Sequence, residues 1–549
     1  MRRARPRRQS VRPVEVVSAE RILERSLRIL AVFVAVSAVT SVTFFHPDEH
    51  FQTIEFASVK LGLSDPSELP WEYAAQLRPW LQPALYTLIG KAALLVGMTD
   101  RFHLLALFRI ATGLLSFLAF RTFARVAVRE LPRDRMRIAF ARSVPLFGFL
   151  PYLFVRTSSE NFAGAFLALA LAVAWVPGVC SRRRALVLGV LLGLAFEARF
   201  QMAFAALGLL AWLAFVRRVS LLAMLSALAG GLGILLLASV VDAWGYGAFC
   251  FPPWNYAREN VVNGVAASFG REPFWAYPLL VSVNVFLPLA LVSLAAMGVA
   301  AWRFPRHILP WVVVPFFVAH SLVSHKEERF LFPLAPVVPA LVALAFSKQT
   351  ARRDDEDDPS GASDDGDAKN VVDAANDGTR YPLTVRLALA VSVPVMLVHL
   401  THPIGFRPQL HFASEVARAN LGEVTVFVPP GLDVPDYPFL RGEKLRTATF
   451  AAACVPPGEH LMFSDVPEPA PYVRCAGGSV AGVPVASELP FVTDAAFVTL
   501  ATRAANTWNA LRDRGWPVPY LRFATILRVS VSASGDIRDD RKAKEAGAR

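Results

Sequence analysis

The hydrophobic pattern of this chain is one of long apolar runs parted by short polar connectors, with neither the alternation of strands nor the narrow stripe of a coiled coil. A helix crossing a bilayer needs roughly 20 apolar residues, because without water every backbone amide must be satisfied inside the helix. By that measure the sequence predicts spans near 27–45, 103–120, 138–155, 161–178, 185–198, 201–216, 219–241, 278–301, 308–323, 331–346 and 383–400. The stretch 81–98, LQPALYTLIGKAALLVGM, carries Lys91 and an early Pro83, and fits either a span or an interfacial helix.

Charge separates those two. Basic residues close to span ends stay on the cytoplasmic side, and the N-terminus MRRARPRR is strongly basic. With 81–98 in the interface, the basic connectors 121–137, 182–184, 217–218, 303–306 and 348–353 all fall on that side. A spanning 81–98 would turn the first of them outward. The expected fold is an all-α polytopic membrane protein with about 11 transmembrane helices.

Composition narrows the class further. The 549 residues are 54% hydrophobic and 18% charged, with a mean hydropathy of +0.42, which excludes a simple soluble enzyme. Because the runs recur along most of the chain, a secreted protein with one signal peptide is excluded as well. The net charge of +12 is what cytoplasmic loops supply, and no nucleic-acid partner is expected. Four cysteines without CxxC or Cys/His spacing predict neither a disulfide framework nor a metal site.

These features divide the chain into a basic cytoplasmic N-terminus at 1–26, a transmembrane module at 27–346, a linker at 347–382, a last span at 383–400 and an outer region at 401–549. Residues 354–380, DDEDDPSGASDDGDAKNVVDAANDGTR, cannot bury enough apolar surface to fold and read as a disordered cytoplasmic linker. Mixed composition returns after 402, with a strand-like run at Val424–Val428 and many prolines. This predicts a small α/β domain on the non-cytoplasmic face with a basic tail. Cys454 and Cys475 both lie in it, either bridged or free.

The polar and aromatic residues gather in the connectors this threading leaves outside. His46-Pro47-Asp48-Glu49-His50-Phe51-Gln52 follows the first span, so that Asp48 and Glu49 head the next helix. An acid there can accept a proton from a substrate hydroxyl, although a helix N-cap at Asp48 with a first-turn Glu49 accounts for the same residues. Thr53, Glu55 and Lys60 read as an exposed helix face. His325-Lys326-Glu327-Glu328-Arg329-Phe330 precedes the tenth span. It suits an anionic headgroup, or a belt of charges that positions a helix. Pro333, Pro336 and Pro339 then predict a bent or loosely bonded helix. Between these lies a loop with Asp242, Trp254, Asn255 and Asn260, a composition suited to sugar or to an aromatic interfacial belt. Arg156 to Asn161 forms a smaller polar cluster that capping explains. Glu197 and Arg199 stand out as ionisable residues at membrane depth.

With these pieces in this order, the chain resembles glycosyltransferase family 22, the polyprenyl-phosphate-sugar-dependent mannosyltransferases of the GT-C superfamily. The resemblance rests on HPDEHFQ, on WEY followed by Arg78-Pro79, on RTSSEN, on the Asp242…PPWNY…NVV…SFG loop, and above all on HKEERFLFPLAP. It covers roughly residues 27–346. The PWNY…SFG stretch looks most like the branch that adds the third mannose of the glycosylphosphatidylinositol (GPI) anchor. His50 stands where the family usually has an aromatic residue, and Tyr256 where it usually has Phe.

The resemblance implies a GT-C fold and inverting transfer of mannose from a polyprenyl (dolichyl) phosphate mannose donor to a glycan or glycolipid acceptor, as in GPI-anchor or lipid-linked oligosaccharide assembly. Neither cofactor nor obligatory metal is implied. Asp48 would be the catalytic base with Glu49 supporting the acceptor; His325, Lys326 and Arg329 would bind the donor phosphate. His46, Gln52, Asp242, Trp254, Asn255, Asn260 and Arg156 would line the sugar and acceptor site. The compartment would be the endoplasmic reticulum membrane in a eukaryote and the cytoplasmic membrane in a bacterium. A lipid or polyprenyl-phosphate transporter is the rival reading. It would share the basic cluster but need no acid pair, and the paired broken helices common in transporters are not evident here.

Overall fold

The computed structural model describes residues 13–41, 44–284, 287–347 and 381–401, together with 424–428, 439, 445–449, 458–464, 480–484 and 525–531. It divides into two compact units. One contains Met1–Ser37, Ala111–Val155 and Ser159–Leu397; the other contains Ala38–Ile110, Arg156–Ser158 and Val398–Arg549.

Helices follow the apolar runs. In chain order they are α1 (Pro13–Thr40), α2 (Glu55–Leu61), α3 (Trp71–Ala74), α4 (Leu81–Leu95), α5 (Arg101–Glu130), α6 (Asp134–Ser143), α7 (Phe149–Phe154) and α8 (Ser159–Trp175). There follow α9 (Arg182–Ala198), α10 (Ala203–Ala211), α11 (Leu221–Tyr246), α12 (Pro252–Ala257), α13 (Ala276–Asn284) and α14 (Leu287–Arg303). The series ends with α15 (Ile308–Leu322), α16 (Val338–Phe346) and α17 (Leu383–Thr401). Among the described residues, Arg101–Glu130, Leu221–Tyr246 and Glu328–Phe346 are long and apolar enough to cross a membrane by length and composition. Shorter apolar helices of 10–17 residues occupy most of the other predicted spans.

One predicted span is broken on the described residues. The run 138–155 divides into α6 and α7 around a 3₁₀ turn at Val144–Leu146, where Pro145 lacks an amide to donate. The run 278–301 is helical on both sides of residues 285–286, as α13 and α14. From within the cationic hexad His325–Phe330 the chain is wound as a 3₁₀ helix, Glu328 to Val337, ten residues with Pro333 and Pro336 inside, before α16 resumes the α form. Such runs rarely exceed three or four residues. Here each proline removes a donor that an α-helix would need.

Close helix contacts depend on small residues. Helices α9 and α11 approach so tightly that a Cβ at Gly189 would overlap the carbonyl oxygen of Ala227, and one at Gly230 the carbonyl of Leu186. In α17, Ser392 accepts the Gly148 amide at 3.2 Å, and Tyr381 just before that helix meets the Ser143 hydroxyl at 3.2 Å.

The strands β1 (Val424–Val428), β2 (Leu445–Thr449), β3 (Gly458–Ser464), β4 (Val480–Pro484) and β5 (Thr525–Val531) form one mixed sheet in the order β2-β1-β3-β5-β4. Strand β1, the run legible in the sequence, pairs in parallel with β2 and β3, whereas β5 is antiparallel to β3 and β4. The acidic linker, Cys454, Cys475, the basic N-terminal dozen and the basic tail lie outside the described residues.

Gly189→Leu should lower the thermal midpoint of the purified protein by an amount equivalent to about 1–3 kcal/mol, the usual cost of overpacking. Gly233→Leu, on the same helix pair but with nothing within 4 Å of its Cβ position, should leave the midpoint unchanged.

Candidate functional site

The acid motif sits on a helical run that starts at Asp48, directly after Pro47. His46, not Asp48, caps that run: its Nδ1 accepts the Asp48 amide at 3.2 Å. The two acids diverge. The Asp48 side chain is 25% exposed, with His46 Nδ1 3.5 Å from its carboxylate. Glu49 is 2% exposed, and its Oε1 accepts the Phe45 amide at 2.8 Å. One acid faces outward while its neighbour ties the chain entering the helix.

Residues His50–Ile54 are wound as a π-helix before α2 begins. The expectation that Thr53 and Glu55 lie on an exposed face is corrected by their burial. The Thr53 hydroxyl lies 3.0 Å from the Thr157 carbonyl, which also accepts from Gln82 at 2.9 Å. Glu55 and His50, both without exposed side-chain surface, form an ion pair of 2.5 Å between Oε2 and Nε2. Burial pushes the Glu55 carboxyl up, but the hydrogen bond and charge of His50, with Ser64 and the Phe439 amide, outweigh it and hold the group below its ordinary 4.5.

Around this helix, Gln52 reaches Glu72 at 3.4 Å, and Arg78 pairs with the same carboxylate oxygen at 2.5 Å. The WEY and Arg-Pro residues therefore brace one another. Arg156 is fully buried, and its guanidinium hydrogen-bonds the Ser41 hydroxyl. A guanidinium in that interior must have acceptors at hand, and none of its surface is presented outward.

The cationic hexad belongs to the other unit and is a dense network. Lys326, at 4% exposed, donates from Nζ to the carbonyls of Glu272 (2.9 Å) and Val323 (2.5 Å), and its amide donates to Glu272 Oε2 at 2.8 Å. His325 Nε2 lies 2.8 Å from Glu327 Oε1, with Nδ1 3.6 Å from Glu272. Arg329, at 6% exposed, pairs with Glu327 through Nε and lies 3.5 Å from Glu160. Glu160 also takes Arg199 at 2.8 Å, and both guanidiniums lie over the Phe330 ring, at 5.0 and 5.3 Å. Burial draws the Lys326 ammonium below the ordinary lysine range, with Glu272 partly opposing it.

Glu272 escaped the sequence reading, because in the loop it is one of two residues between Gly270 and Pro273 with no pattern of its own. Gly270 was the available signal. It adopts φ +149, and a Cβ there would meet Glu272 Oε1 at 2.6 Å and His325 Nδ1 at 3.2 Å.

The aromatic loop is open. Trp254 is 61% exposed, and Phe269, Phe274 and Trp275 are also exposed. Asn255 is half-buried, whereas Asn260 donates to the Tyr256 carbonyl at 3.1 Å. Asp242 is buried in the last turn of α11, and Gln201 holds the Tyr256 hydroxyl at 2.5 Å. An apolar cavity of about 90 Å³ lies in the same unit as the hexad, lined by Phe149, Leu153, Met297, Phe317, Leu331 and Leu341 among others, with Glu328 in its wall.

Compared with known proteins, the chain matches the profile of the Alg9-like mannosyltransferase family over residues 26–427. GPI mannosyltransferase 3 of Yarrowia lipolytica is 26% identical across 59% of this chain and 62% of its own length. GPI alpha-1,2-mannosyltransferase 3 of Danio rerio is 25% identical across 57% of each chain. Alpha-1,2-mannosyltransferase ALG9 of Saccharomyces cerevisiae is 32% identical over 20% of each. The chain thus spans about three fifths of the GPI mannosyltransferase relatives it matches here. Among solved structures, ArnT from Cupriavidus metallidurans bound to undecaprenyl phosphate aligns with a TM-score of 0.46 and 12% identity, covering 93% of this chain and 98% of that one.

Glu160→Gln should strand the buried Arg199 guanidinium, Arg329 keeping Glu327, and cost about 3–5 kcal/mol, read as a lowered thermal midpoint; Glu160→Gln with Arg199→Met should recover part of the loss. The Glu55 pair has a distinct pH signature. A carboxyl held below 4.5 in the folded state contributes stability above pH 4.5 and loses it as pH falls through the lowered value. Glu55→Gln should therefore melt below the wild type at neutral pH, and the gap should narrow in acid.

Proposed function

The chain belongs to the Alg9-like mannosyltransferase family, and we propose that it moves mannose from a polyprenyl (dolichyl) phosphate mannose donor to a glycan or glycolipid acceptor, inverting the anomeric centre. The observation that carries this reading is the division of labour at the acid motif, where Asp48 keeps an accessible carboxylate while Glu49, His50 and Glu55 are buried and engaged.

In this reading Asp48 takes the proton from the acceptor hydroxyl as its oxygen attacks the anomeric carbon. The bond from that carbon to the phosphate oxygen breaks, and the lipid phosphate leaves with the electron pair. Glu49 positions the motif by holding the Phe45 amide. The departing phosphate needs positive charge, and Lys326 suits it best. Its ammonium is bound by two neutral carbonyls, whereas Arg329 is paired with two carboxylates. The apolar cavity with Glu328 in its wall supports a place for part of the polyprenyl chain. The exposed Trp254, with Asn255 beside it, supports acceptor binding in the aromatic loop.

Relatives named GPI mannosyltransferase 3 and GPI alpha-1,2-mannosyltransferase 3 support an α-1,2 linkage and the third mannose of the GPI anchor as the product. About 11 membrane spans with the sheet-bearing region on the non-cytoplasmic face complete the reading. The membrane is that of the endoplasmic reticulum in a eukaryote and the cytoplasmic membrane in a bacterium.

The test uses membranes containing the full chain, a radiolabelled polyprenyl-phosphate-mannose donor and a mannosylated glycolipid acceptor. Wild type should transfer mannose, and Asp48→Asn should lose about 10²–10⁴-fold in rate, the usual worth of a general base. Equal transfer by both would remove Asp48 from the mechanism. Lys326→Ala should lose on the order of 10²-fold, and an unchanged rate would remove the phosphate assignment.

A further inference from the structure

Phe439 stands far beyond the last described helix in the chain, between β1 and β2, yet its side chain is fully buried in the core built by residues 44–108. Phe44, Ile54, Tyr86, Leu104 and Phe108 form that core with it. Its ring lies 6.5 Å from both His50 and Phe108, with the Arg101 guanidinium 5.8 Å away. Its backbone is held at both ends. The amide donates to Glu55 Oε2 at 3.2 Å, and the carbonyl accepts from Arg101 Nη1 at 3.0 Å.

The carboxylate oxygen that takes the Phe439 amide is the same one that pairs with His50 at 2.5 Å. His50 begins the π-wound stretch, two residues after Asp48. A helix of this length is marginal by itself, and a π turn is rarer and weaker than an α turn. The helix that carries Asp48 therefore depends on outside contacts for its place, and one of them comes from beyond the last helix.

We infer that Phe439 is a positioning residue for the acid motif: by plugging the core under His50 and bonding Glu55, it fixes the helix on which Asp48 stands. The inference rests on the transferase reading for its effect on rate, and on geometry alone for its effect on the helix. It also gives the region after the membrane module a part in the reaction, through one residue.

The experiment compares wild type, Phe439→Ala, Phe439→Leu and Arg101→Met as full-length chains in membranes. It reads kcat and donor KM, and separately amide hydrogen exchange across residues 44–61. Phe439→Ala should lower kcat by about 10²-fold, the scale of a misplacement of roughly 1 Å, with donor KM within about twofold. Exchange across 48–58 should quicken, because the helix opens locally more often. Phe439→Leu should restore most of both. Arg101→Met removes the donor to the Phe439 carbonyl but leaves the ring in place, so it should shift both readouts in the same direction by less. This milder variant serves if Phe439→Ala does not fold. Wild-type kcat in Phe439→Ala, or exchange across 48–58 unchanged in the variants, would overturn the inference. If wild type transferred no mannose while Phe439→Ala still quickened exchange, the transferase reading would fail and the anchoring role would stand.

Discussion

A charge removed from water must have hydrogen-bond partners or its opposite within reach, and that constraint organises both charged clusters. The penalty for an ion left alone in an apolar interior is several kcal/mol, more than most single contacts return. The buried cations and acids here accordingly occur in chains of partners. Glu160 binds Arg199 and lies close to Arg329, Glu327 joins Arg329 to His325, and Glu272 lies between His325 and the Lys326 amide. In the other unit His50 and Glu55 are paired with no exposed side-chain surface at all. Such networks contribute little net stability, but they allow one arrangement and penalise the rest.

That distinction sorts the charged residues by what they are free to do. A guanidinium with two carboxylates has its charge answered inside the protein, and Arg329 fits that description. The Lys326 ammonium is instead held by two carbonyl oxygens, with the Glu272 carboxylate bonded to its own amide. The same logic applies to the acids. Glu49 and Glu55 are spent on Phe45 and on His50 with Phe439, and Asp48 keeps an accessible carboxylate.

Much of this was legible in the sequence, and what was missed has a common cause. Helices follow hydrophobic length, a local property, so most apolar runs reappear as helices and β1 falls on the predicted Val424–Val428. The breaks at Val144–Leu146 and Glu328–Val337 fall at prolines, which are also local signals. Burial of a polar residue is decided by a partner distant in sequence. Nothing beside Glu55 announces His50 as its counter-ion rather than water, and Glu55 was therefore assigned to an exposed face. Glu160 looked like a capping residue because its partner Arg199 lies beyond a whole helical hairpin, and Glu272 had no pattern to mark it. Phe439 is the extreme case, a residue whose burial depends wholly on a core built several hundred positions earlier.

The 3₁₀ segment links a local backbone signal to the charged cluster. Prolines at 333 and 336 prevent α-helical bonding across Glu328–Val337, and the tighter winding brings side chains three apart onto one edge. The segment packs against α8, where Gly164 meets the Pro333 backbone so closely that a Cβ there would lie 2.9 Å from the Pro333 carbonyl oxygen. That approach sets the start of the segment near the start of α8, and those two ends carry Arg329 and Glu160. There the Arg199 and Arg329 guanidiniums share one ring, that of Phe330. The prolines, the small residue opposite them and the buried carboxylate therefore act as one arrangement, in which the close approach of the segment to α8 sets Arg329 beside Glu160.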